Sequence, residues 1–302
     1  MDLNKIQQLF PQAKQNITLF NLTSIKIGGL ADVYIEIDNF NDLEKLKDLK
    51  LNKIILGGGS NIIFHQNGFR GAIIKIKSHK IKVEENKIIA ESGTMLSKIV
   101  QIAKKNNLTG IEELTGLPGT IGGAIRGNAG AFGVEIKDIL EKITVFSEEN
   151  GIYELTKEDL NFSYRNSRIK ESKGKEIILS AVIKLKKTTE EEAKIKQKKI
   201  LEAIKQRQKT QPRGNVTGSF FKNPSKEQTA GELLDKAGCK GLTIGGATIS
   251  DLHANWIINK SNATQEDIIQ LAKTARNKVK DKFKITLEPE VQLIGEKEII
   301  EL

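Results

Sequence analysis

The residues from Gly110 to Gly133, GIEELTGLPGTIGGAIRGNAGAFG, hold eight of the chain's 26 glycines in 24 positions, where ordinary usage places about two. Ile111, Leu114, Leu117, Ile121, Ile125 and Phe132 are interspersed among them, so the stretch packs rather than trails as a polar linker. Glycine in packed backbone signals φ > 0 or a close approach to something else. Successive N–H groups of such a loop can converge on phosphate oxygens. A cradle for an anionic ligand and a set of structural turns account for the composition equally well. A second cluster, Gly57, Gly58, Gly59, Ser60 and Asn61, offers the same chemistry with added side-chain donors. A tight hairpin is the plainer alternative there, although three glycines followed by Ser and Asn exceed what a turn needs.

The elements that must position these loops are legible from spacing. Leu3, Ile6, Leu9 and Phe10 predict a short helix, Val33, Ile35 and Ile37 a strand after a Gly28–Gly29 turn, and Phe40, Leu43, Leu46 and Leu49 an amphipathic helix. Residues 53–56 read as a strand that runs into the triple glycine, and 62–64 as the next. This β–α–β order puts the cluster at the carboxyl end of a strand, where α/β folds bind ligands. It is not the dinucleotide fingerprint, because no G-x-G-x-x-G opens a helix there. Strands follow at 72–76, 81–83 and 88–90, then a helix capped by Thr94 with the stripe Leu96, Ile99, Val100 and Ala103. Further strands are expected at 140–146, 151–155 and 177–185, the last alternating Ile177, Leu179, Ala181, Ile183 and Leu185. Segments 230–239 and 264–283 with flanking strands make a smaller α+β domain.

Composition narrows the class. Charged residues are 28% and hydrophobic ones 38% of 302 residues, ordinary for a soluble globular chain of two or three domains. No apolar run approaches the roughly 20 residues of a membrane span, and MDLNKIQQLF lacks the regions of a secretion signal. Cys239 is the only cysteine, so there is no internal disulfide and a reduced, cytoplasmic setting is expected. The net charge of +10 arises mostly between Lys184 and Arg213, with eleven Lys/Arg against four Glu. Thr189 and Glu192 there fit a capping box; acids 190–192 fill the first turn, and Lys198, Lys199, Lys205 and Arg207 lie toward the end. That polarity, with no interleaved aromatics, reads as a solvated helix and not a nucleic-acid surface. His65, His79 and His253 have no metal-ligand spacing, so no metal is assigned.

Nine motifs occur in one order. They are T-S-I-K-I-G-G (23–29), L-G-G-G-S-N (56–61), L-P-G-T-I-G-G-A (117–124), N-A-G-A-F-G (128–133), Y-R-N-S (164–167), G-S-F-F-K-N-P (218–224), A-G-E-L-L-D-K-A-G-C-K-G (230–241), H-A-N-W (253–256) and L-E-P-E-V (287–291). Singly each is weak; as an ordered set across about residues 20–295 they resemble the UDP-N-acetylenolpyruvoylglucosamine reductases. The resemblance implies an α+β protein. An N-terminal helix (1–20) would precede an FAD-binding unit of the vanillyl-alcohol-oxidase (PCMH) type at 21–187, with subdomains at about 21–77 and 78–187. A UDP-sugar domain would occupy 188–302. Only residues 225–229 separate K-N-P from A-G, so the chain looks like the second, short subtype, without the inserted substrate-covering tyrosine. Lys26 stands where many relatives carry arginine; it keeps the charge but not the fork.

By the same resemblance, FAD is held by Gly57, Gly58, Gly59, Ser60, Asn61, Pro118, Gly119, Thr120, Gly122, Gly123, Ala124, Asn128 and Gly130. NADPH is the reductant, UDP-N-acetylglucosamine enolpyruvate the substrate, and the enzyme a cytoplasmic monomer of peptidoglycan synthesis. Arg165 would bind the substrate carboxylate, where charge builds as hydride arrives. Ser219 would donate the proton, and Glu290 would assist charge control, protonated where desolvated. Lys222, Asn223 and Tyr164 would contact substrate. Taken without the family, the three catalytic residues read as a buried ion pair, a turn serine and a surface acid, and Asn223 and Tyr164 as turn and packing residues. Another flavin oxidoreductase on the same unit, or a non-catalytic anion-binding protein, are the competing readings.

Overall fold

The computed structural model describes residues 3–302, apart from the side chains of Lys199, Ala203 and Gln206. Helices and strands are mixed along the chain, which divides into two compact units built from interleaved segments. The first takes Met1–Lys14, Tyr34–Gly58 and Ile73–Lys205; the second takes Gln15–Val33, Gly59–Ala72 and Gln206–Leu302. The division falls between Gly58 and Gly59, inside the triple glycine.

In the first unit an antiparallel sheet runs in the order Gly151–Thr156, Leu140–Ser147, Glu176–Lys184, Lys87–Glu91, Ile81–Glu84. The second half of Glu176–Lys184 alternates as its sequence predicts, with Leu179, Ala181 and Ile183 buried. Its first half, Glu176 to Ile178, is buried on both faces. Helix Leu96–Lys105 adds Leu96, Ile99 and Ala103 to the same core.

Two local expectations are corrected. Met95, not Thr94, is the cap residue of Leu96–Lys105, and it offers no side-chain bond. The Thr94 hydroxyl is buried without a partner among the described residues, while its carbonyl accepts from Ile121 N at 2.8 Å. The segment Phe40–Asp48 forms a 3₁₀ run rather than an α-helix. Its apolar residues recur every third position, and in a helix of three residues per turn that spacing stacks Leu43 and Leu46 on one side; both are buried.

Helix Glu190–Thr210 carries the expected capping box. Glu192 N donates to Thr189 Oγ1 and Thr189 N donates to Glu192 Oε2, each at 3.2 Å. One of its bases, Lys196, is engaged by Glu112 and Glu113 at 3.2 and 3.1 Å.

The second unit has an antiparallel sheet in the order Val216–Ser219, Trp256–Asn259, Ala247–Ile249, Thr243–Ile244. A smaller sheet pairs Ile62–Phe64 in parallel with Gln292–Ile294, which also pairs Ile299–Ile300. That parallel pairing draws Gly59–Ala72 into this unit, and Gln265 Nε2 ties it by donating to Ile63 O and Ile294 O at 2.8 and 2.9 Å. Helix Gln265–Phe283 starts from a Thr264–Asp267 capping box and buries Ile268, Leu271, Ala272, Ala275 and Val279 against the sheet residues.

Candidate functional site

In the first unit the two glycine clusters meet. Lys53–Leu56 ends at Gly57 and Gly58. A Cβ on Gly58 would lie 2.5 Å from the Gly119 Cα, and one on Gly57 would lie 3.1 Å from Thr120 Oγ1. Backbone thus packs on backbone, which only glycine permits. Lys75 Nζ donates to the Gly57 carbonyl, and burial pulls its ammonium below the usual lysine range. A trans peptide points its N–H opposite its C=O, so this bond also sets the direction of the Gly58 N–H.

Thr120 caps Ile121–Arg126, its hydroxyl accepting from Gly123 N at 3.4 Å. Gly122 N donates to Ser92 O at 3.1 Å, and a Cβ there would lie 2.9 Å from the Ser92 Cβ. Ala124 N donates to Thr120 O at 2.9 Å. The N–H groups of Gly122 and Ala124 therefore serve the loop itself. A cavity of about 60 Å³ opens beside the clusters, lined in part by Gly57, Ser92, Thr120, Gly122 and Gly123.

The end of the opening stretch builds a seat for Arg165. Asn128 is fully buried with φ +42°. Its Nδ2 donates to Glu135 Oε2 at 3.1 Å and Ser163 O at 3.0 Å, and its Oδ1 accepts from Lys137 N at 3.2 Å. The amide is committed to shaping the loop. What the loop presents is carbonyls: Gly130 O accepts from Arg165 Nη2 at 3.1 Å and Asn128 O from Nη1 at 3.4 Å. Glu135 Oε1 lies 3.6 Å from Arg165 Nη1, both side chains being 19% exposed. The guanidinium also stands over the Tyr164 ring at 5.0 Å, and Lys170 Nζ donates to the Arg165 carbonyl at 2.9 Å.

Arg165 itself has φ +56°, a conformation that costs a bulky residue on the order of 1–3 kcal/mol and tends to persist at working sites. The partner acid Glu135 was not read from the sequence. Its only signal is its place just after the N-A-G-A-F-G motif.

In the second unit Gly218 turns the chain at φ +73°, and Ser219, exposed, ends Val216–Ser219 opposite Trp256. Segment 219–223 then runs beside 288–290. Glu290 N donates to Phe220 O at 2.8 Å, Lys222 N to Glu288 O at 2.9 Å, and Phe221 bridges Pro289. Ser219 and Glu290 thus flank one directly bonded junction. Asn61 joins it, Nδ2 donating to Glu290 O at 3.1 Å.

Buried Asn255 clamps the junction: its Oδ1 accepts from Phe221 N at 2.9 Å and its Nδ2 donates to Phe221 O at 2.8 Å. Asn255 lies in the H-A-N-W motif between His253 and Trp256, and its clamping role was not read from the sequence. Those two rings pack at 6.1 Å, and burial holds the imidazole below the usual histidine range. Lys222 Nζ pairs with Glu288 at 3.0 Å, and Asn223 Oδ1 accepts from Ala230 N at 3.0 Å, bracing helix Ala230–Lys236. Lys26 has φ +57°; its Nζ donates to Asn21 O at 3.4 Å and its carbonyl accepts from Asn259 Nδ2 at 2.9 Å.

Among the described residues no group of three or more His, Cys, Asp or Glu could hold a metal, and no helix is long and apolar enough to cross a membrane.

Comparison with known proteins bears on this arrangement. Residues 43–156 match the family described as FAD binding domain, and residues 208–294 match UDP-N-acetylenolpyruvoylglucosamine reductase, C-terminal domain. A UDP-N-acetylenolpyruvoylglucosamine reductase of Caldanaerobacter subterraneus subsp. tengcongensis is 40% identical over 98% of each chain. One of Caldicellulosiruptor bescii is 42% identical over 92% of this chain and 89% of its own. The crystal structure of the reductase from Thermus caldophilus superposes with a TM-score of 0.79 at 29% identity, covering 92% of this chain and 97% of that one.

Proposed function

The chain belongs to the UDP-N-acetylenolpyruvoylglucosamine reductase family, and from that premise we propose how its residues divide the work. The protein is a flavin-dependent oxidoreductase of α+β fold with an FAD-binding unit of the vanillyl-alcohol-oxidase type. It reduces the enolpyruvyl group of UDP-N-acetylglucosamine enolpyruvate to give UDP-N-acetylmuramate for peptidoglycan synthesis. NADPH is the reductant.

The residues present fit the dinucleotide. The Gly58–Gly119 approach leaves no room for side chains, so backbone is offered where a ligand's phosphates would lie. Ser92 Oγ and Thr94 Oγ1, next to Gly122 and Ile121, are buried without partners among the described residues. Gly57 to Asn61, Pro118 to Ala124 and Gly130 would hold the cofactor, with Asn128 shaping their loop. Bound FAD, reduced by NADPH, supplies hydride to the terminal carbon of the enolpyruvyl group.

The chain's own residues supply the rest. Arg165, aimed by the carbonyls of 128 and 130, offers its planar fork to the substrate carboxylate and stabilises charge that grows there. Ser219 Oγ gives a proton to the carbon bearing the ether oxygen. Serine is a weak acid, so its alkoxide needs transient support, for which Lys222, three residues on along the same junction, is the candidate. Glu290 assists charge control at the carboxylate, while Tyr164, Lys222 and Asn223 contact the UDP-sugar. Residues 21–187 would bind FAD and 188–302 the sugar nucleotide, in a cytoplasmic monomer with no nucleic-acid partner.

The observation that supports this reading is the bond from Glu290 N to Phe220 O at 2.8 Å, which pairs the backbone of the proposed acid with that of the residue following the proposed proton donor. Its test separates the half-reactions. Ser219→Ala should leave flavin bleaching by NADPH within about twofold of wild type and slow reoxidation by substrate at least a hundredfold, in line with a lost acid catalyst (about 10²–10⁴). Equal loss in both steps would remove Ser219 from the proton-donor role.

A further inference from the structure

Helix Ile121–Arg126 ends on a guanidinium that none of these roles uses. Arg126 is half-buried, and burial pulls its guanidinium down from the usual arginine range. Its side chain has no hydrogen bond or ion pair among the described residues. An exposed arginine in a last helical turn needs no partner, because it faces the helix carbonyls and water. A desolvated one is unfavourable until a counter-charge reaches it.

The surroundings indicate what that counter-charge is. Arg126 lines the same small cavity as Gly57, Ser92, Gly122 and Gly123. Ser92 Oγ is buried with no partner among the described residues. Glu176, the acid on the cavity wall, is already matched: Arg168 Nη2 lies at 2.8 Å and the Tyr153 hydroxyl donates to it at 2.7 Å. What remains is an unmatched cation and an unmatched hydroxyl on a wall otherwise built mainly of glycines and the aliphatic side chains of Ile55, Leu56, Ile76, Ile169, Ile177 and Ile178. That donor set suits a phosphate oxygen, for which a guanidinium fork is the strongest side-chain partner. A volume of about 60 Å³ suits one phosphate-sized group and not a flavin ring.

We propose that Arg126 and Ser92 are side-chain contacts of the FAD pyrophosphate, adding charge and a hydroxyl to the glycine backbone of the two loops. The inference rests on the reading of the chain as an FAD enzyme. Arg126 then governs retention of the cofactor and takes no part in hydride or proton transfer. In the cofactor-free protein it is a liability, an isolated cation held partly out of water.

The test is calorimetric titration of the protein stripped of FAD with three probes: FAD, ADP and adenosine. The variants are Arg126→Gln, Arg126→Lys and Ser92→Ala. Arg126→Gln should weaken FAD and ADP about ten- to a hundredfold, the span of one charge-assisted hydrogen-bonded pair, and leave adenosine unchanged. Arg126→Lys should recover part of the loss, and Ser92→Ala should show a smaller loss for the same two probes. The stripped Arg126→Gln protein should melt no lower than stripped wild type, since an unmatched buried charge has gone. Unchanged FAD and ADP affinity in Arg126→Gln would overturn the proposal. So would a matching loss for adenosine, which would set Arg126 against the base, or a lower melting point of the stripped variant, which marks a structural role. Stripped wild type that fails to bind FAD would instead overturn the flavin reading itself.

Discussion

Three adjacent glycines offer a graded test of how the loops hold the cofactor. In Gly58→Ala the new methyl would sit 2.5 Å from the Gly119 Cα, where ordinary contact begins at 3.4 Å. The obstacle is backbone on both sides, so the loops must part by roughly 1 Å. Overpacking of that kind costs about 1–3 kcal/mol, and under the proposed cofactor site part of it falls on the ligand, whose phosphates would need both loops at once. At 1.4 kcal/mol per tenfold, FAD affinity should drop about five- to a hundredfold. Gly57→Ala meets Thr120 Oγ1 at 3.1 Å, an overlap that a shift of a few tenths of an ångström relieves, so its loss should stay within about fivefold. Gly59→Ala fails differently. Its φ is +71° and the methyl would run into the Leu22 carbonyl oxygen, so it should lower the melting point of the cofactor-free protein too. Flavin fluorescence quenching on reconstitution gives the three affinities, and melting curves of the stripped proteins give the fold contribution. Equal losses in Gly57→Ala and Gly58→Ala, or wild-type affinity in Gly58→Ala, would refute the argument that close backbone approach is what these glycines provide.

Other expectations follow from single contacts. Asn255→Ala removes both bonds to Phe221 and leaves a buried N–H and C=O unmatched, so chemical denaturation should show about 2–4 kcal/mol less stability; a change under 0.5 kcal/mol would show that the clamp is dispensable. Asp267 accepts first from Thr264 N and then from Gly246 N, which holds its carboxyl below the usual aspartate range. A depressed folded-state pKa stabilises above the unfolded value of about 3.9 and stops doing so as pH falls through the folded one. Asp267→Asn should therefore be less stable by about 1 kcal/mol or less near pH 7, and the gap should close below about pH 4. A gap that is constant from pH 3 to 7 would contradict the assignment.

Much of the architecture is visible in side-chain periodicity. The strands Lys53–Leu56 and Ile62–Phe64 fall where the apolar runs place them, the Thr189–Glu192 box starts its helix as the residue types dictate, and helix Gln265–Phe283 falls within the expected segment. What escapes is what depends on distant partners. Segment Gly59–Ala72 joins the second unit because Ile62–Phe64 finds Gln292–Ile294, and nothing near Gly59 in the chain announces that pairing. Thr94 has the residue type of a cap, yet its carbonyl is used by Ile121 and its hydroxyl is turned inward. The 3₁₀ run at Phe40–Asp48 is readable afterwards from its strict spacing of three, which an α-helical pattern tolerates but does not require.

The site shows the same division. The glycine motifs declare that backbone must come close, and the structure supplies the counterpart, Gly58 against Gly119. Ordered motifs identify the family, and the roles proposed for Arg165, Ser219 and Glu290 rest on that resemblance. Glu135, Asn255 and Arg126 are different, because each matters through a contact or through the lack of one. Asn128 illustrates the limit from the other side. Its motif marks it for the ligand, while its amide is fully engaged with Glu135, Ser163 and Lys137 and only its carbonyl reaches Arg165.

The account's central claim is that one flavin carries reducing equivalents from NADPH to an enolpyruvyl sugar nucleotide. Anaerobic absorbance spectroscopy addresses it directly. The purified protein should show an oxidised flavin spectrum, bleach on stoichiometric NADPH, and regain its colour when UDP-N-acetylglucosamine enolpyruvate is added, with UDP-N-acetylmuramate formed in equal amount. A protein that bleaches but stays reduced in the presence of that substrate would contradict the claim.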